Sequence, residues 1–338
     1  MSGAMTQRSR EIRLKSRPTG TPAAENFELA ETEVPPPGPG EVQVKNRWLS
    51  VDPYMRSRMI DRPSYVPPFQ LGKAMDGGAV GEVTASNAKG FAPGDLVVSM
   101  YGWREAFNGK PEALTRIPPV GLPPEAFLGV AGLTGMTAWV GLLKIGELKE
   151  GDTVFVSAAA GAVGSVACQI AKIRGCRVIG SAGGADKMAW LEEIGVDAAI
   201  DYRAEPDLAA ALLRAAPKGI DVYFDNVGGA HLDAALVAAR PFGRIALCGM
   251  ISLYNEEQLP PGPSHIVLAI GKRLKLQGFI LTDHYSEMPA FIQDMAGWVR
   301  DGRIRWRETI DEGIEAAPGA FLKLFTGENI GKMLVKLA

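Results

Sequence analysis

The chain is expected to be an α/β protein, with a doubly wound parallel sheet in its second half and a smaller antiparallel β-rich domain before it. Three observations predict this. Strand, glycine turn and helix alternate from residue 150 onward, short strands cut by Gly and Pro occupy the residues before 130, and a length of 338 residues suits two domains at roughly 150 each.

In the first half, Glu41–Lys45, Gly78–Val83 and Asp95–Met100 read as strands, bounded by turn clusters at Pro35–Gly40 and Ala92–Asp95. Thr153–Ser157 opens the second half as a buried strand. A helix follows over Ser165–Arg174, with Val166, Ile170 and Ile173 on one face and Gly175 as its stop. Next come strand Arg177–Gly180, helix Lys187–Ile194, strand Ala198–Ile200 and helix Asp207–Ala216, ended by Pro217. Strand Ile220–Phe224 closes at Gly228 and Gly229, helix His231–Arg240 leads to strand Arg244–Cys248, and strand Leu274–Leu281 precedes an amphipathic helix through Met288–Val299. Parallel neighbours require helical crossovers, so these strands belong to one doubly wound sheet of six. Residues 304–338, with a helix near Ala320–Phe325 and a strand at Lys332–Lys336, are expected to rejoin the first domain. The expected division is therefore 1–130 with 304–338, against 131–303.

Composition narrows the function. With 36 Lys and Arg against 38 Asp and Glu, the chain has no basic surplus to attract nucleic acid or anionic lipid. Three Cys and three His are too few, and too scattered, for a structural zinc site, so no metal is expected. Cys168, Cys176 and Cys248 read as reduced thiols of a cytoplasmic protein. The Arg-, Lys- and Ser-rich stretch Met1–Pro18 lacks the apolar core of a signal peptide, and Met5 offers a second start. No apolar run reaches the roughly 18 residues that span a bilayer.

Directly after strand Thr153–Ser157 stands Ala158-Ala-Ala-Gly-Ala-Val-Gly-Ser165. Against the pattern G-x-G-x-x-G, Ala159, Gly161 and Gly164 take the three glycine places. Gly161 allows close backbone approach to a pyrophosphate, Gly164 allows close helix packing, and the helix N-terminus supplies donors and partial positive charge. An NAD site wants an acid at the end of the second strand, but Ser181-Ala-Gly-Gly184 has none. Asp186 falls in the first helical turn, and Lys187 follows it. A ribose 2′-phosphate, and so NADPH, is the better fit.

These residues, with Tyr223-Phe-Asp-Asn-Val-Gly-Gly229, Phe242–Gly249, Ile251-Ser-Leu-Tyr-Asn255, Ser50–Arg56 and Gly327–Lys332, resemble the zinc-independent medium-chain dehydrogenase/reductase superfamily. Within it the chain resembles the prostaglandin reductase and alkenal double-bond reductase family, including bacterial NADPH-dependent curcumin-reductase-like members. The resemblance implies a GroES-like β-rich catalytic domain, a Rossmann domain, a homodimer, and NADPH-dependent reduction of the carbon–carbon double bond of α,β-unsaturated aldehydes or ketones. It places cofactor contacts on Ala162, Val163, Gly164 and Ser165, on Lys187 and Tyr202 for the 2′-phosphate, and on Asn226, Cys248, Gly249, Met250, Ile251, Ser252, Leu253, Tyr254, Phe279, Ile280, Leu281 and Asn329.

The zinc-dependent relatives carry a catalytic Cys, a Gly-His-Glu segment and a four-Cys lobe, whereas the matching stretch here is Gly72-Lys-Ala-Met-Asp-Gly77. Hydride addition to an enone can do without a metal, because its carbonyl already polarises the double bond. Tyr254 is the candidate donor to the developing enolate, with the cofactor's ribose hydroxyl as a candidate second donor; water is a candidate proton source, and the proton donor stays open. Tyr54 and His284 are candidate substrate contacts, and Pro260–Pro263 a candidate lid. His231 and His265 have no partner at metal spacing. Two alternatives stay open: an NADPH quinone reductase, and a dinucleotide-binding protein without catalysis.

Overall fold

The computed structural model describes residues 6–337, so the second start at Met5 lies outside the described residues. The chain forms two compact units. One runs to Leu128 and takes in Glu308–Asn329 and the segment from Met333; the other is Gly129–Arg307 with Ile330–Lys332.

The first unit holds β1 (Gln7–Leu14), β2 (Phe27–Val34), β3 (Val42–Ser50), β4 (Ala79–Ser86), β5 (Leu96–Ser99), β6 (Ala106–Gly109) and β7 (Leu114–Arg116). Strands β1 and β2 pair antiparallel from Gln7↔Val34 to Leu14↔Phe27.

The second unit holds β8 (Thr153–Val156), β9 (Arg177–Ala182), β10 (Ala198–Asp201), β11 (Ile220–Asp225), β12 (Ala239–Leu247) and β13 (Lys275–Gly278). They form one parallel sheet in the order β10-β9-β8-β11-β12-β13. Helices α1 (Ala162–Ile173), α2 (Ala185–Glu193), α3 (Leu208–Ala215) and α4 (Gly229–Ala238) make the crossovers, and α5 (Met288–Arg300) follows the sheet. The chain starts at mid-sheet, winds outward to β10, then returns to β11 beside β8. Order reverses there, which leaves a crevice at the carboxyl ends of β8 and β11.

Most elements shift by one to three residues at their ends, the helix expected from Ser165 starting at Ala162, and two strands differ further. The last was expected over Leu274–Leu281, but β13 ends at Gly278. Its neighbour β12 ends at the paired Leu247, so nothing remains to bond beyond Gly278, and Phe279 turns its ring edge-on to Phe224 at 6.5 Å. A 3-10 helix, Leu281–Glu287, follows. Conversely, β12 starts at Ala239 within the segment read as helix, because Pro241 cannot continue one and Phe242 adopts φ +63°.

The chain then returns to the first unit with β14 (Glu308–Glu312), helix Ala317–Thr326 and β15 (Lys332–Lys336). The seven-stranded sheet there runs β14-β15-β3-β4-β5-β7, with β6 also on β3. Leu49, Met333 and Val335 pack with Phe27, Trp103 and Phe321 in its core. Phe321 meets Phe27 and Trp103 edge-on, at 6.3 and 6.1 Å between ring centroids. No helix among the described residues is long and apolar enough to cross a membrane.

Phe321→Ala removes these contacts and a third, with Phe325, from a fully buried position. It is expected to cost about 3–5 kcal/mol, seen as faster amide hydrogen exchange in β3 and β15.

Candidate functional site

Between β8 and α1 the backbone folds back on itself. Ala158 adopts φ +48°, the Ala159 N–H donates to Ser181 O at 2.9 Å, and the Gly331 N–H donates to Ala160 O at 2.8 Å. Gly161 is the extended N-cap of α1, with no side chain to occupy the N–H groups of the first turn, which Ala162, Val163 and Gly164 carry. A β-carbon on Gly164 would lie 2.3 Å from Ala158 O, so only glycine lets the turn close on the helix. Ser165 is buried behind it.

At the ends of β9 and β10 two cations approach each other. Burial, and then the nearby Arg203 guanidinium, hold the Lys187 ammonium below its usual pKa. A β-carbon on Gly183 would stand 2.8 Å from Arg203 Nε, so the arginine side chain lies across that glycine. The carboxylate at hand, Asp201, accepts from the Gly184 N–H at 3.2 Å and the Arg203 N–H at 3.0 Å. Asp186 sits in the first turn of α2. Tyr202 is 40% exposed and packs edge-on to His231 at 5.3 Å. His231 is a core residue, paired with Ser181 Oγ at 3.0 Å; burial lowers its pKa to about 4 and keeps the ring neutral.

The ends of β8 and β11 share a buried polar knot. Asp225 Oδ1 accepts from Tyr223 OH at 2.6 Å, the Gly228 N–H at 2.7 Å and the Val227 N–H at 2.9 Å. Asn226 donates its N–H to Ser157 Oγ at 2.9 Å and its Nδ2 to Ser157 O at 2.7 Å. Asp225 is fully buried, which raises its pKa above the ordinary carboxylate value.

The segment after β12 leans on this knot. The Cys248 and Gly249 N–H groups donate to Asp225 O at 2.9 and 3.0 Å. Burial, then Asp225, push the Cys248 thiol up to about 12, so it is no nucleophile at neutral pH. Ile251–Leu253 form a 3-10 turn, Ser252 Oγ donates to Val227 O at 2.6 Å, and Tyr254 follows as the C-cap. The Met250 N–H donates to Tyr254 OH at 3.3 Å, which holds that hydroxyl beside Gly249.

The structure thus brings Gly161 to Ser165, Asn226 and Cys248 to Tyr254 to the carboxyl edge of one sheet, with Lys187 and Tyr202 farther along that edge. Phe279 is fixed by Phe224, Ile280 is extended, and Leu281 and a half-buried His284 lie in the 3-10 helix. Tyr54 and Asn329 belong to the other unit. There Tyr54 packs on the core, and burial, then Asp52, raise its phenol pKa; Asn329 is half-buried between helix Ala317–Thr326 and β15. Sequence reasoning missed Arg203, whose signal was a second cation after the third strand. It also missed the roles of Ser157, Tyr223 and Asp225, whose signal was polar residues closing two apolar strands. Among the described residues, no group of three or more His, Cys, Asp or Glu is placed to hold a metal ion.

Comparison with known proteins gives the family. Residues 10–117 match the family described as N-terminal domain of oxidoreductase, and residues 162–297 the family described as zinc-binding dehydrogenase. The chain is 43% identical to NADPH-dependent curcumin reductase of Escherichia coli, with 99% of each chain covered. It is 41% identical to the NADP-dependent 2-alkenal reductase of Nicotiana tabacum, with 98% of each covered. The structure of CurA from Vibrio vulnificus in complex with NADPH superposes with a TM-score of 0.93 at 43% identity, covering 97% of this chain and 99% of that one. The chain belongs to the medium-chain dehydrogenase/reductase superfamily. Its place there is with the alkenal and prostaglandin reductase-like proteins, and rat prostaglandin reductase 1 is 43% identical over 96% of this chain and 97% of its own.

His231 has a folded pKa of about 4 against an ordinary 6.5, so the unfolded chain binds the extra proton between those values. Its contribution to stability is complete above pH 6.5 and is lost as pH falls toward 4. Urea unfolding should show a steeper loss between those pH values in the wild type than in His231→Gln.

Proposed function

We propose that the protein is an NADPH-dependent reductase of the carbon–carbon double bond of α,β-unsaturated aldehydes and ketones, and that it works without a metal. One observation carries the reading: the Met250 N–H holds the Tyr254 hydroxyl at the carboxyl edge of the sheet, the edge that bears the glycine loop. The names of its relatives, reductases of curcumin, prostaglandin and 2-alkenal, support the substrate class.

The residues fit NADPH. The first turn of α1, from Ala162 to Ser165, would take the pyrophosphate, since the turn packed against Gly164 leaves its N–H groups facing outward without a capping side chain. Lys187 would take the 2′-phosphate with Tyr202 beside it; Lys187 and Arg203 repel each other, and an anion there relieves both. Asn226, the run Cys248 to Tyr254, Phe279 to Leu281, and Asn329 would line the remainder. When bound, NADPH supplies the hydride for the substrate β-carbon. Tyr254 then donates its O–H to the carbonyl oxygen as enolate charge gathers there, and the hydrogen bond from Met250 into the phenol oxygen strengthens it as a donor. Water delivers the α-carbon proton. The parallel-sheet unit, residues 131–303, would bind the cofactor, and residues 1–130 with 304–338 would form the catalytic, substrate-binding domain, with Tyr54 and His284 as candidate substrate contacts.

We place the protein in the cytoplasm as a homodimer. Its edge strand β13 and the exposed apolar Val267 and Ile270 nearby offer a surface for a second copy.

The test is NADPH consumption across 2-alkenals, cyclic enones, long-chain enones and quinones, with product analysis. Saturated carbonyl products are expected; turnover of benzoquinones alone, or tight NADPH binding without any turnover, would overturn the proposal. Tyr254→Phe should slow enone reduction by about tenfold to a thousandfold, and an unchanged rate would reduce Tyr254 to packing. Lys187→Ala should weaken NADPH far more than NADH in calorimetric titration, and equal losses would refute the phosphate assignment.

A further inference from the structure

We infer that Asp225 is a positioning residue for the proposed reduction, its carboxyl and carbonyl oxygens holding in register the three loops that would carry cofactor and substrate; the inference rests on the NADPH reading. The first loop follows β8. Ser157 begins it, and Ser157 Oγ lies 3.4 Å from Asp225 Oδ1 and accepts from Tyr223 OH at 3.0 Å. The second follows β11, where Oδ1 draws in the Val227 and Gly228 N–H groups at the start of α4. The third follows β12 and hangs from Asp225 O through Cys248 and Gly249.

The second and third loops are also tied to each other. The Ile251 N–H donates to Asn226 O at 3.3 Å and the Ser252 N–H to Val227 O at 3.2 Å, so the turn that ends at Tyr254 follows wherever Asn226 and Val227 go. Asp225 Oδ1 therefore fixes Val227 and Gly228 directly and reaches Asn226 through Ser157 Oγ, and the phenol of Tyr254 follows through the Asn226 and Val227 carbonyls. Core packing alone does not call for this arrangement. Oδ1 takes three bonds of 2.6 to 2.9 Å, Oδ2 has no partner among the described residues, and the fully buried group touches no solvent. A buried acidic group with one oxygen unpartnered is a burden on stability, and its return is the fixed geometry of the loops around it.

The test compares Asp225→Ala and Asp225→Asn with the wild type in three measurements: NADPH affinity by fluorescence titration without substrate, amide hydrogen exchange of the unliganded protein, and kcat with a 2-alkenal. Asp225→Ala is expected to weaken NADPH and lower kcat by about tenfold or more, and to speed exchange in residues 226–229 and 248–254 but not in β3 or β15. Asp225→Asn keeps one acceptor oxygen and should recover affinity to within about threefold of wild type. An alanine variant that is merely less heat-stable, with affinity, kcat and exchange in those two segments unchanged, would overturn the inference. Should that variant not fold, Ser157→Ala leaves the carboxyl in place and removes the acceptor of the Asn226 N–H. It should also weaken NADPH, and wild-type affinity would overturn the inference. A wild-type protein that binds no NADPH refutes the functional proposal instead, while the exchange pattern still judges Asp225.

Discussion

The pairing of β8 with β11 is the constraint on which the second unit depends. Val154, Phe155 and Val156 lie beside Val222, Tyr223 and Phe224, and all six are buried. Both strands are apolar on both faces, as a sheet covered by helices on each side requires. Because they are parallel, their carboxyl ends finish side by side, and the loops that leave them turn to opposite sides of the sheet. The glycine turn and the Asn226 loop are neighbours for that reason, although more than sixty residues separate them. Ser157 and Asp225, the first polar groups beyond the apolar pairs, then find each other in the dry space between those loops.

Under the proposed function, the second strand end would select among ligands by its charge. A backbone that ends β9 in Gly183 and Gly184 has no side chain of its own to recognise a ribose. Recognition passes to whatever reaches across from α2 and from the end of β10. Here those are Lys187 and Arg203, and under the proposed NADPH reading a doubly charged phosphate would relieve the burial and repulsion that hold the Lys187 ammonium below its usual pKa.

Much of this was legible in the sequence. Alternation of strand and helix located all six parallel strands, because the central ones, β8 and β11, carry continuous apolar runs and the intervening helices end near Gly or Pro. The place of the glycine loop followed from Gly161 and Gly164 standing directly after such a run. The ends of elements were less legible. β13 stops at Gly278 because its partner stops, and β12 starts early because Pro241 forbids helix, so their lengths depend on neighbours that a local pattern does not contain. The Asp225 knot was hidden for the same reason: Ser157 from one strand end and Tyr223, Asp225 and Asn226 from another make it, and the link between the two ends carries no local signature. Arg203 was passed over because a lysine sixteen positions earlier seemed a sufficient cation, and only the fold brings the two together.

The route of the chain through the first unit has a consequence for its synthesis. Strand β15 lies between β14 and β3, in a sheet whose remaining strands, β3 to β7, are all made before Leu128. Those strands emerge from the ribosome with Trp48–Ser50 of β3 lacking their β15 partner, and they wait in that state while the whole of Gly129–Arg307 is translated. The parallel-sheet unit lacks only Ile330–Lys332 when it emerges, so it is free to fold first. The nascent β-rich unit is therefore the one exposed to mispairing, and the arrival of Met333, Leu334 and Val335 ends that exposure by closing its core.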